Sequence, residues 1–148
     1  MLRPDSAQLS ALYQEMILDH YRRPRNKGTL ENADASVEMR NPLCGDEIGL
    51  QVSFDGDSIS NVRFSGRGCS ISQASASMMT QLLKGKTLAE IDALKTRFRD
   101  LMLGNVSGAD EDLGSLRSLS GVARFPARVK CALLAWNALE SALANRKV

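Results

Sequence analysis

Ile48, Leu50, Val52 and Phe54 alternate strictly with glycine and polar residues, and this run constrains the fold more than any other stretch of the chain. Successive side chains of a strand point to opposite faces, so the alternation predicts a half-buried strand with one apolar side. Asp55-Gly56-Asp57 supplies a turn, after which Ile59, Val62 and Phe64 carry the next strand, with an irregularity at Ser60-Asn61. Before it, Val37 and Met39 share one face of a shorter run that ends at Asn41-Pro42. A sheet with a single apolar face has to be covered. The fold expected is therefore α+β, a three-stranded antiparallel sheet packed by helices on one face.

The covering helices show themselves by their period. Leu9, Leu12, Tyr13, Met16 and Ile17 form one stripe after Pro4-Asp5-Ser6, in a helix running to about Tyr21 and stopping before Pro24. Ile71, Ala74, Ser75, Met78, Met79 and Leu82 share a face of a second helix, with Gly85 as its stop. Thr87-Leu88-Ala89-Glu90 fits a capping box and opens a third, with Ile91, Leu94, Phe98 and Leu101 inward. From 104 to 125 the pattern weakens into Gly, Ser and acidic residues, Asp110-Glu111-Asp112 beginning a short helix through Leu116 and Leu119. This stretch is expected to be a surface excursion within one domain spanning residues 1–148. Pro126-Ala127 opens the last helix, apolar on most sides from Val129 to Leu143 and so expected at the centre.

A chain of 148 residues buries roughly 68–70% of its unfolded surface, so no metal is needed merely to fold it. The net charge of +2 and an aromatic content of 5% give no footing for nucleic acid. No apolar run approaches ~18 residues, which argues against a membrane span. The N-terminus carries no signal-peptide pattern, and three cysteines, an odd number, lead us to expect free thiols or metal ligands in a reducing cytoplasm. The basic cluster His20 to Lys27 reads either as a solvated turn or as a docking surface for an acidic partner. His20, the only histidine, sits at a helix C-terminus, where its positive form would suit the dipole, and is expected to cap or pack rather than to ligate.

The cysteines carry the chemistry. Asn41-Pro42-Leu43-Cys44-Gly45-Asp46 is a tight turn that presents a thiol and a carboxylate to one small volume. Once deprotonated these groups repel unless a cation lies between them. Cys69 follows Gly66-Arg67-Gly68 at a helix N-terminus, where the dipole and unpaired N–H groups favour a thiolate. The two glycines let the backbone come close to a bound group. Cys131 lies in the first turns of the last helix, three residues after Arg128 and so on its face. All three thiols fall at the ends of elements, and with Asp46 they make four donors, the number a tetrahedral Zn²⁺ site takes. Their spacing alone is not diagnostic, because no C-x-x-C pair exists. On these residues a shared metal or sulfur site and three unrelated thiols both stand.

Several motifs occur together in a recognisable order. Leu12-Tyr13 with Ile17-Leu18-Asp19-His20-Tyr21 and Pro24-Arg25-Asn26 come first, followed by the Asn41–Asp46 turn. Gly66-Arg67-Gly68-Cys69 with Ser72-Gln73-Ala74-Ser75 comes next, then Arg128-Val129-Lys130-Cys131 leading into Leu134-Ala135-Trp136. Together they resemble the IscU/SufU family of iron–sulfur cluster assembly proteins over about Leu12 to Leu139. Scaffolds of the IscU type carry a histidine immediately before the third cysteine, where this chain has Lys130, and have a shorter separation than the 61 residues between Cys69 and Cys131, the 104–125 stretch accounting for the excess. In both respects the chain is similar to the SufU type. The resemblance implies a zinc-dependent sulfurtransferase that takes persulfide sulfur from a pyridoxal-phosphate-dependent (PLP) cysteine desulfurase of SufS type. It also implies Cys44, Asp46, Cys69 and Cys131 as metal ligands and Cys44 as the catalytic sulfur acceptor, with a downstream iron–sulfur scaffold complex as the next partner. The alternative is a scaffold on which a 2Fe-2S cluster is assembled by the same four residues.

Overall fold

The computed structural model describes residues 6–42, 45–104 and 111–145. Strands β1 (Ala35–Asn41), β2 (Asp46–Asp55) and β3 (Ser58–Arg67) form one antiparallel sheet in that order. Val37 faces Leu50, and Leu50 in turn faces Phe64. Ile48, Leu50, Val52, Ile59, Val62 and Phe64 are each at most 1% exposed, the apolar face the alternation predicts. Ile59 and Val62 lie three positions apart, an odd spacing that places residues of a regular strand on opposite faces. A bulge reconciles them. Ser53 pairs with Asn61 but Phe54 with Ile59, leaving Ser60 as the extra residue at the irregularity expected from sequence.

The helices are α1 (Ser6–Arg22), α2 (Ser70–Leu83), α3 (Leu88–Met102) and α4 (Pro126–Ala144). Helix α4 lies against β1 and β2, and α2 against β3, α1 and α4, so helices cover one face of the sheet. Central α4 buries Leu134, Trp136 and Leu139, and the Trp136 ring stacks on Phe98 of α3 with centroids 5.2 Å apart. The opposite face carries Glu38, Arg40, Glu47, Gln51 and Arg63, which are exposed or half-buried. The outer edge of β3 is paired along both halves. Phe64 N–H donates to Asn26 O at 3.0 Å, and Ile59 N–H to Lys86 O at 3.0 Å.

Helix α2 departs from the amphipathic expectation, because every residue from Ile71 to Thr80 is buried, polar ones included. Small hydroxyls make this possible by bonding across helices. Ser75 Oγ donates to Ala132 O at 2.7 Å, and Ser77 Oγ accepts the Arg25 N–H at 2.8 Å and lies 2.8 Å from His20 Nδ1. His20 is therefore a packing residue, as expected, but not a charged cap. Burial first, and the Arg25 charge second, hold its pKa below the ordinary 6.5.

Two further expectations change. Leu12, assigned to the inward stripe of α1, is 53% exposed, while the Leu9 side chain and the Pro4-Asp5 start lie outside what is described. The described part of the 104–125 stretch is not a surface excursion. It forms a 3₁₀ segment, Glu111–Arg124, kinked at Gly114 and packed against all four helices. After the kink, Leu116, Leu119 and Val122 recur every third residue, which aligns them on one side of a helix with three residues per turn, and Leu113 is buried before it. The three leucines are at most 1% exposed.

Candidate metal centre

Asp46 opens β2 with its side chain on the inward face, two residues before Ile48, and its carboxylate is fully buried. Cys69 sits at the β3–α2 junction as the N-cap of α2, its sulfur receiving the Ser72 N–H at 3.4 Å. A serine usually fills such a position; here a thiol accepts from the helix's unpaired donors. Cys131 is buried in the first turns of α4, its Sγ 3.7 Å from Ala127 O. Three elements distant in sequence thus bring Asp46, Cys69 and Cys131 together, with their ligand atoms all within 4.8 Å of one another.

Both oxygens of the carboxylate meet Cys69. Asp46 Oδ1 accepts the Cys69 N–H at 2.8 Å, while the Cys69 thiol lies 3.6 Å from Oδ2, within reach of an S–H···O bond. Tetrahedral zinc with its usual S and O bond lengths has donor-to-donor edges of about 3.5–3.8 Å. The Cys69–Asp46 pair already stands at such an edge, so the donors present fit a zinc ion that replaces the thiol proton.

Cys44 and Leu43 lie outside the described residues. The flanks of their turn are described: Gly45 N–H donates to Asn41 O at 2.9 Å, and Gly45 takes a φ of 71°. His20 is not part of the centre, being bonded to Ser77 within α2. Arg128 is exposed and makes no ion pair among the described residues. Much of the His20–Lys27 charge is spent internally, since Asp19 pairs with Arg25 at 2.7 Å and with Arg23 at 3.1 Å. A second basic group frames the metal end of the sheet. Arg40 and Arg67, 74% and 84% exposed, flank Glu47 at 3.4 and 3.7 Å, and Arg128 and Lys130 are exposed on α4 beside Cys131.

Sequence reading passed over the residues that hold the ligands. Ser72 bonds Cys69 twice, by its N–H to the sulfur and by its hydroxyl to Cys69 O at 3.1 Å. The two glycines before Cys69 serve different ends. Gly66, with φ +120°, lies against the Glu47 backbone carbonyl, whereas the space over Gly68 is filled by the Asp46 carboxylate and Ser72 Oγ. The close group anticipated at these glycines is thus, at Gly68, the protein's own ligand.

Residues 12–146 match the family model described as NifU-like N terminal domain. The chain is 48% identical over 142 residues to the zinc-dependent sulfurtransferase SufU of Bacillus subtilis, covering 96% of each protein. It is 44% identical to the iron–sulfur cluster assembly scaffold protein IscU of Streptococcus pyogenes, covering 93% of this chain and 86% of that one. The crystal structure of FiSufU from Fervidobacterium islandicum superposes with a TM-score of 0.82 at 39% identity, over 94% of this chain and 99% of that one. Among the described residues no helix is long and apolar enough to cross a membrane.

Proposed function

The chain belongs to the NifU-like N-terminal domain family, and from that premise we propose that it is a zinc-dependent sulfurtransferase of iron–sulfur cluster assembly, working in the cytoplasm. The observation that carries this reading is the convergence of Asp46, Cys69 and Cys131 within 4.8 Å. Cys44, joined to Asp46 through Gly45 alone, completes the donor set. Zinc supplies one service, displacing the thiol protons so that sulfur is a thiolate at neutral pH, where a free thiol with pKa about 8.5 is mostly protonated.

The protein's own residues divide the work. Asp46 and Cys69 are fixed by hydrogen bonds to the β3–α2 junction, and Cys131 by the buried start of α4. Cys44, on a glycine-flanked turn, is the sulfur acceptor. Its thiolate attacks the outer sulfur of a persulfide on a PLP-dependent cysteine desulfurase. One S–S bond forms on Cys44, the desulfurase S–S bond breaks, and the desulfurase cysteine leaves as thiolate with the electron pair. The exposed Arg40, Arg67, Arg128 and Lys130 around the centre suit an acidic surface on that partner. Onward transfer goes to an iron–sulfur scaffold complex.

Replacing Cys44 with Ala abolishes stimulation of the desulfurase on this reading, measured as sulfide release under excess reductant. Undiminished stimulation sinks the acceptor role. The scaffold reading is favoured by the 44% identity to a protein named as a scaffold, and soft thiolates hold iron and zinc alike. Metal content of protein purified without air separates the two. A colourless protein with one zinc supports transfer, and a brown protein with iron and sulfide in a 2Fe-2S cluster overturns it.

A further inference from the structure

We propose that Gly68 is a positioning residue of the metal centre: its bare α-carbon is the berth for the Asp46 carboxylate, whose place beside Cys69 depends on the missing side chain. The inference rests on the metal-site reading above. A glycine can be required for its backbone angles or for its missing side chain. Gly66 illustrates the first, with φ +120° and the Glu47 carbonyl against it, so its requirement belongs to the sheet. Gly68 is of the second kind. Its φ lies outside the positive range, so an L-residue suits its backbone.

What Gly68 lacks is room. A Cβ built there meets Ser72 Oγ at 2.7 Å and Asp46 Cγ at 2.8 Å, and comes closer still to Asp46 Oδ1. Both neighbours are ends of side chains, not backbone, so a methyl group is accommodated by moving them. The serine hydroxyl rotates at the cost of its 3.1 Å bond to Cys69 O. The carboxylate has a harder choice. Oδ1 is bonded to the Cys69 N–H and Oδ2 lies beside the Cys69 sulfur, so a swing away from residue 68 breaks the first contact and turns the second. A methyl at this position therefore acts on the donor set and not on the sheet. The carboxylate is thus anchored to the β3–α2 junction through the Cys69 amide.

The test is a double-mutant cycle on zinc affinity, measured by chelator competition, with the Co²⁺ absorption spectrum as a second reading of donor geometry. Gly68→Ala is expected to weaken zinc binding about 10- to 100-fold, the usual cost of disturbing a group that orients a ligand, and to change the Co²⁺ ligand-field bands. Asp46→Ala weakens binding at least as much. The double variant is expected to bind no more weakly than Asp46→Ala alone, because removing the carboxylate makes room for the methyl. Losses that multiply, or a Gly68→Ala protein that binds like the parent, overturn the proposal while leaving the centre itself intact. A parent that takes up neither zinc nor Co²⁺ sinks both readings. If Gly68→Ala fails to fold, recovery of the fold in the double variant supports the berth, and continued failure overturns it.

Discussion

A carboxylate with no exposure to solvent is costly unless donors or positive charge share its space, and Asp46 has the Cys69 amide and thiol. That arrangement suits two states, one with a proton between sulfur and oxygen and one with a metal ion. Asp46→Asn keeps an acceptor for the amide but removes the charge. The metal-free variant is expected to melt no lower than the parent, while zinc affinity falls at least ~10-fold, read by thermal denaturation and chelator competition. The sequence singles out Asp46, Cys69 and Cys131, which the fold brings within 4.8 Å, because thiols and an acid at element ends are chemically loud. Ser72 is silent, and Gly68 reads only as room for a bound group, since the contact that explains it comes from Asp46, 22 positions earlier on β2. Leu12 misled for the opposite reason: periodicity shows which residues share a stripe, not how far that stripe is covered.

Elements were readable where one local pattern decides them. Thr87 and Glu90 form the capping box the sequence announces, each side chain accepting the other's backbone N–H, at 3.2 and 3.0 Å. Thr87→Ala is expected to cost about 1 kcal/mol of stability, measured by denaturant unfolding of the metal-free protein. Zinc affinity should not change, because Thr87 bridges to Ser58 at the far end of the ten-residue β3, roughly 30 Å of strand from the metal end. The short helix expected through Leu116 and Leu119 is present, but it reads as surface because its leucines repeat every three residues, a period that a search for 3.6 does not find. Helix α2 was placed correctly along the chain, but not as a helix buried all round. Its serines and threonine look solvent-facing until the partners that satisfy them, Ala132 O on α4 and His20 and Arg25 beside α1, are known.

On the scale of the whole molecule, acidity tests how α1, α2 and the turn after α1 are joined. The depressed pKa of His20 means that the unfolded chain binds its proton at a higher pH than the folded chain does. Stability contributed by this site is thus complete above about 6.5 and is lost as pH falls below it. Arg25 and Asp19 face the same imidazole with opposite signs, but burial dominates both. Asp19, stabilised as an anion chiefly by its bond to Arg25, and Glu90, bonded to Thr87, are also depressed, yet their contributions fail only below their ordinary values of 3.8 and 4.5. Denaturation midpoints of the metal-free protein between about pH 8 and 5 should therefore fall on the acid side. His20→Asn, which keeps a partner for Ser77, should flatten that fall; an equal fall in both proteins refutes the assignment.

Helix α4 belongs to two systems at once. Five residues before the indole that stacks on Phe98, the same helix brings Cys131 within 4.8 Å of the Asp46 and Cys69 donors. The place of the Cys131 thiol is therefore tied to the packing around Trp136. One helix thus sets both the interior packing and the position of a candidate donor.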